Sequence, residues 1–157
     1  MNFAKYLEQQ THEDRQAFII HYPSLSGKTQ FIQKACQVMP SIHYVDFLEY
    51  TLANPGLSSL ENIDLSRFKS LLLDLDKSQS EETSALVIDQ ADFMFNTWDA
   101  DEKQEFIHWL RASMRTPSVV KRTFIFVIQT DGLISSATLT NTRNQSRILA
   151  LNELDAF

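Results

Sequence analysis

The chain has 157 residues, 43% hydrophobic and 22% charged, and a net charge of −6. That length suits one domain with a buried core, and no apolar run is long enough to span a bilayer, so no membrane role is expected. The acidic balance argues against autonomous gripping of a nucleic-acid backbone, which calls for a basic surface.

Residues 1–16 are expected to form an N-terminal helical segment, with Phe3, Tyr6 and Leu7 at loosely helical spacing. Residues 17–157 follow as the core. Met1 to Glu8 lacks the charged-then-apolar order of a signal peptide, and the single cysteine, Cys36, can close no internal disulfide. The expected setting is therefore the cytoplasm. Ala17 to Tyr22 is a short apolar run ended by Pro23 and reads as a buried strand. Pro23 to Gly27 reads as a loop. From Lys28, apolar residues Phe31, Ile32, Ala35, Val38 and Met39 recur at helical spacing until Pro40. Ile42 to Phe47 predicts a second strand, and loop material is expected around Asn54-Pro55-Gly56.

Leu65, Phe68, Leu71, Leu72 and Leu75 predict an amphipathic helix. Ala85 to Ile88 predicts a third strand. Asp99 and Asp101 suit the N-terminus of a helix carrying Phe106, Ile107, Leu110 and Met114. Thr123 to Ile128 is β-branched or aromatic throughout and predicts a strand. A short helix is expected over Leu133 to Leu139, and a last strand over Ile148 to Leu151. Strands that are continuously apolar and alternate with helices imply an α/β fold, three layers deep, with a mostly parallel sheet of about five strands. Ligands in such sheets bind beyond the carboxyl ends of the strands.

Only three glycines occur in the chain, and one sits in Ser26-Gly27-Lys28-Thr29, between a predicted strand and a predicted helix. The full phosphate-binding pattern is Gly, four residues, then Gly-Lys-Ser/Thr. Tyr22 stands where the first glycine belongs, and Leu25 replaces a residue that is usually small; each Cβ restricts the loop backbone. The surviving chemistry is coherent. Backbone N–H groups from Pro23, Ser24, Leu25, Ser26, Gly27, Lys28, Thr29 and Gln30, Pro23 excepted for lack of a donor, would line the phosphates. Lys28 would reach the β- and γ-phosphates and the Thr29 hydroxyl would hold magnesium, so ATP and Mg²⁺ are the expected cofactors. Ala85-Leu86-Val87-Ile88-Asp89 is an apolar strand ending in an acid, which suits Asp89 as the second magnesium-side group. Gln90 follows, and an amide cannot act as a general base at neutral pH.

The four histidines, His12, His21, His43 and His108, lack metal-ligand spacing, so a zinc site is not expected. Trp98 and Trp109 read as core or contact residues. Asp99, Asp101, Glu102 and Glu105 read as a solvated helix face.

These elements together resemble the AAA+/STAND branch of P-loop ATPases over about Ala17 to Leu154. Asp89-Gln90-Ala91-Asp92 looks like that branch's Asp-Glu-Ala-Asp run with one substitution. Among small members without a lid, the chain looks most like the short P-loop proteins of type III BREX phage-defence systems, in size, element order and the amide after Asp89. The resemblance implies a strand inserted between those of the two motifs, whose end, Gln129 or Thr130, senses the γ-phosphate; Thr130 is the favoured candidate. It implies slow or partner-assisted hydrolysis with Gln90 at the catalytic position. It makes Arg143 and Arg147 candidate arginine fingers toward a neighbouring subunit. No C-terminal lid domain is expected before Phe157. The implied function is a nucleotide-dependent switch or weak ATPase that self-associates or joins a larger protein complex. The alternative is a non-catalytic interaction module keeping the fold; a small-molecule kinase is a third reading without an evident arginine-bearing lid.

Overall fold

The computed structural model describes residues 1–23, 28–54 and 63–154, with only the backbone placed at 28 and 29. Helix α1 (Phe3–Gln10) starts at Asn2, whose side chain accepts a hydrogen bond from Lys5 N at 2.9 Å. Strand β1 (Phe18–Tyr22), helix α2 (Lys28–Val38) and strand β2 (Ile42–Asp46) follow the predicted order. Helix α3 (Phe47–Ala53) was not expected. Its signal is Asp46-Phe47-Leu48-Glu49, in which the Asp46 carboxylate accepts from Glu49 N at 3.1 Å as an N-cap. Helix α4 (Leu65–Ser78) is capped in the same way by Asp64, and helix α6 (Ala100–Ala112) by Asp99. Between them lie β3 (Ala85–Asp89) and a single-turn helix, α5 (Asp92–Phe95). Strand β4 (Thr123–Gln129) and strand β5 (Ile148–Ala150) complete the sheet, and a 3₁₀ turn (Leu151–Glu153) follows β5.

The helix expected over Leu133 to Leu139 does not form. Residues 132–136 make turns instead. The Asp131 carboxylate accepts from Leu133 N at 2.9 Å and Ile134 N at 3.0 Å as a cap would, but the Ser135 hydroxyl accepts from Asp131 N and the Ser136 hydroxyl donates to Gly132 O, local bonds that compete with a helical ladder.

All five strands are parallel, in the order β2-β3-β4-β1-β5. Period-two alternation sends each strand's side chains to two buried faces. Phe18, Ile20, Val87, Ile125, Val127 and Leu149 pack with Phe3, Tyr6, Ile32 and Ala35 of α1 and α2. Ile19, Leu86, Ile88, Phe124, Phe126 and Ile128 pack with Phe47, Phe68, Leu72, Phe95, Phe106 and Leu110 of α3 to α6. The result is a three-layer αβα arrangement, with α1 part of the same core as the sheet. Phe68 is fully buried and meets Phe47, Phe95, Trp98, Phe106 and Phe126. Truncating such a residue to alanine costs about 3–5 kcal/mol. Among the described residues no helix is long and apolar enough to cross a membrane.

The amino edge of the sheet is stapled by two buried arginines. Arg122, just before β4, donates to the carbonyls of Asp76 (2.6 Å) in the last turn of α4 and of Ser80 (2.9 Å), Gln79 (3.2 Å) and Thr83 (3.2 Å) after it. The Asp76 carboxylate in turn accepts from Lys121 N and Arg122 N at 2.8 and 3.2 Å. Arg147, just before β5, is 1% exposed and donates to Ala17 O at 2.9 Å and Leu110 O at 3.0 Å.

Candidate functional site

Inserting β4 between β1 and β3 brings three strand ends side by side at the carboxyl edge. Tyr22 of β1 is level with Gln129 of β4, and Ile88 of β3 is level with Phe126. The chain leaving β1 at Pro23 re-enters the described structure at Lys28, the first residue of α2. Ser24, Leu25, Ser26 and Gly27 lie outside the described residues. Lys28 and Thr29 therefore occupy the first turn of an eleven-residue helix, where backbone N–H groups without helical partners and the positive dipole end gather. Gln30 is exposed, as is Pro23.

Asp89 ends β3 and is 1% exposed. Two residues beyond Val87, it shares the α1/α2 face of the sheet, the face on which α2 begins. Its Oδ2 accepts from the Tyr44 hydroxyl at 2.7 Å and its Oδ1 from Gln90 N at 2.8 Å. Burial, with the hydrogen bond and charge of Asp89, holds the Tyr44 phenol far above its ordinary range; the Gln90 side chain acts on the same phenol in the opposite sense. Gln90 takes a left-handed backbone conformation, φ 61°. That is an uncommon state for a residue with a Cβ. It turns the chain sharply out of the strand.

Asp92 lies at the same edge. The Gln90 turn and the start of α5 bring it back onto the edge. Asp92 Oδ2 accepts from the Tyr22 hydroxyl at 3.0 Å and its Oδ1 from Gln129 N at 2.8 Å, so one carboxylate joins the ends of β1 and β4. Tyr22, read from the sequence as standing at a glycine position, is thus bonded across the edge. Thr130 donates its N–H to Tyr22 O at 2.8 Å, and its Oγ1 lies 3.1 Å from His21 Nδ1. Burial lowers the His21 pKa below its usual value, against the pull of Glu153.

Beside these groups is an open cavity of about 390 Å³, lined by His21, Pro23, Phe31, Thr130, Ala150, Leu151 and Asn152. Its size falls in the range of small-molecule sites, about 300–1,000 Å³. A larger cleft, about 590 Å³, opens at the amino edge around Asp76 and Arg122. There the Asp76 and Arg122 side chains already bond main chain, so the smaller cavity is taken as the candidate ligand site.

Comparison with known proteins gives no match to a family model, to a curated protein or to a solved structure.

The two candidate arginine fingers separate. Arg147 cannot serve, because its guanidinium is buried and bonded to two carbonyls; burial also lowers its pKa to about 10. Arg143 is exposed, on the loop that precedes β5 at the amino edge. Among the described residues no group of three or more His, Cys, Asp or Glu could hold a metal ion. Magnesium bound with a nucleotide uses one or two protein oxygens together with phosphates and waters, and the Asp89 carboxylate, a hard oxygen donor at the carboxyl edge, fits that donor set. Tyr22, Tyr44 and Asp92 were not singled out as site residues from the sequence. Only Asp92 carried a signal, as an acid three residues after Asp89.

Proposed function

We propose that the protein binds ATP with magnesium at the carboxyl edge and acts as a nucleotide-dependent switch with slow turnover. The observation that supports this most is the placement of Asp89: β4 lies between β1 and β3, and Asp89 projects on the face where α2 opens with Lys28 and Thr29. On this reading the phosphates lie at the start of α2, where Lys28 neutralises charge and helical N–H groups donate. Thr29 and Asp89 would hold the magnesium, which screens the phosphate charge. The cavity bounded by His21, Phe31 and Leu151 would take the apolar faces of the base.

Thr130 would respond to the γ-phosphate, since its hydroxyl is at the edge and already shared with His21. Slow turnover follows from Gln90, whose amide offers no general base and whose left-handed backbone turns the chain out of β3. Placement in the AAA+/STAND-like branch belongs to the same proposal and rests on the motifs and the strand order. A change in the edge on binding would alter the surface available to a second copy or a larger complex. Calorimetry with Mg·ATP tests the reading: wild type is expected to bind and Lys28→Ala to lose at least a hundredfold in affinity. No heat and no thermal stabilisation of wild type at millimolar nucleotide would end it.

A further inference from the structure

The chain is acidic overall, with 20 Asp and Glu against 14 Lys and Arg, yet positive charge gathers at one place on the amino edge. Arg15, Arg111 and Arg147 line an open cavity of about 190 Å³ together with Glu13, Asp14 and Thr142. The segment between α1 and β1, the last turn of α6 and the loop before β5 build it. The guanidinium groups of Arg15 and Arg111 are each held by one main-chain carbonyl. Arg15 Nε donates to Ala112 O at 3.1 Å, and Arg111 Nη2 donates to Thr138 O. Among the described residues, Arg15 Nη1 and Nη2 and Arg111 Nε and Nη1 meet no acceptor, and neither arginine has a carboxylate in ion-pair range. Glu13 does not serve them, because its two oxygens already accept from Thr142 N and Oγ1. Arg147 adds a buried charge to the same wall. Burial is the main cause that lowers its pKa, Tyr6 opposes that shift, and Arg15 and Arg111 both add to it as like charges.

We infer that this cavity is a second binding site, for the phosphate group of a monoester, and that it does not depend on the nucleotide reading. The lining sets three guanidinium charges against two carboxylates, and exposed Arg143 on the same loop raises the positive excess further. A phosphate monoester carries about two negative charges at neutral pH and offers several acceptor oxygens, which balances that excess; a carboxylate cancels only half of it. The planar fork of arginine matches phosphate oxygens in pairs. Fixing one nitrogen of each guanidinium on a carbonyl removes side-chain freedom before the ligand arrives, which lowers the entropic cost of binding. The volume lies below the range of about 300–1,000 Å³ for sites that enclose a whole small molecule, so the cavity takes a group while the rest of the ligand stays in solvent. Mg·ATP suits it poorly, because the metal already screens the phosphate charge.

The test is titration of glycerol phosphate, inorganic phosphate and acetate into wild type, Arg111→Gln and Arg15→Gln. Binding is read by calorimetry and phosphorus NMR at fixed ionic strength and about pH 7.5, above the second phosphate pKa. Both phosphates are expected to bind wild type in the millimolar range, and acetate about tenfold more weakly. Arg111 is exposed, so Arg111→Gln should keep the wild-type urea midpoint while its Kd for either phosphate rises about tenfold, equivalent to about 1.4 kcal/mol. Arg15→Gln should weaken binding in the same direction. Wild type that binds neither phosphate in that range, or both variants binding as wild type does, would overturn the inference. So would acetate binding as tightly as phosphate, which would leave a site for any anion. Loss of phosphate binding in Lys28→Ala, or its displacement by Mg·ATP, would assign the anion to the carboxyl edge and equally overturn it.

Discussion

The two ends of the parallel sheet use polar residues for different purposes. At the amino edge, Arg122 and Arg147 spend their donors on main-chain carbonyls, and the Glu13 carboxylate accepts from Thr142 N and Oγ1 at 2.5 and 2.6 Å. These bonds join segments distant in sequence, so they fix where strands begin. At the carboxyl edge, side chains bond one another: Tyr44 with Asp89, Tyr22 with Asp92, His21 with Thr130. Such pairs can exchange partners without unfolding a helix or strand. The amino edge is built for stability, and on the proposed reading the carboxyl edge holds the groups that a nucleotide would redirect.

The comparison breaks most easily at the amino edge. Arg147→Ala and Arg122→Ala should each lower unfolding free energy in urea by about 2–4 kcal/mol, because several buried carbonyls lose their donors at once. Lysine at either position should recover little, since one ammonium cannot reproduce the guanidinium fork. If either alanine variant unfolds at the wild-type midpoint, the staples do not carry that edge. At the carboxyl edge the stability effects should be smaller. Tyr22→Phe removes one part-buried hydrogen bond to a carboxylate and should cost about 1.5 kcal/mol, the low end for a charged acceptor; a loss as large as that of Arg147→Ala would erase the distinction between the edges.

Gln90→Glu sharpens the comparison through chemistry. The left-handed turn takes residue 90 out of the line of β3, so the added acid should leave ATP turnover within a few-fold of wild type in a phosphate-release assay. A rise of a hundredfold, the scale of a well-placed general base, would show that residue 90 reaches the reacting phosphate. The smallest expected effect is the pH dependence from His21. Its folded pKa lies below the ordinary value near 6.5, so the unfolded chain takes up the proton first. His21 therefore contributes stability above about pH 6.5 that is lost as pH falls toward the folded pKa. Thermal melts of wild type and His21→Gln should diverge slightly over that interval; melts that stay parallel would contradict it.

The layers of the fold were legible because the apolar runs of β1, β3 and β4 are buried on both faces, and such strands need helices on each side. The start of α6 was legible at Asp99 for the same physical reason that Asp46 caps α3, yet α3 was missed because its seven residues carry too few turns to develop a periodic face. The segment after Asp131 misled in the other direction: it was read as a short helix, but the Ser135 and Ser136 hydroxyls bond the backbone locally and only turns form. The start of α2 at Lys28 was legible from the strand before it and the helical spacing after it. Tyr44 was not, because its role depends on β2 lying beside β3, a pairing with no mark in the spacing of either strand. Arg147 failed as a finger for a related reason. Sequence position placed it before the last strand, and only the packing of Ala17 and Leu110 around it makes it a staple.

The claim that the proposed nucleotide function belongs to the carboxyl edge is tested most directly by amide hydrogen exchange with and without Mg·ATP. The account predicts added protection at Pro23 to Phe31, Asp89 to Asp92 and Gln129 to Asp131, with no change at Thr140 to Arg147. Protection confined to Thr140 to Arg147 and the neighbouring amino edge, or no protection anywhere at saturating nucleotide, would contradict it.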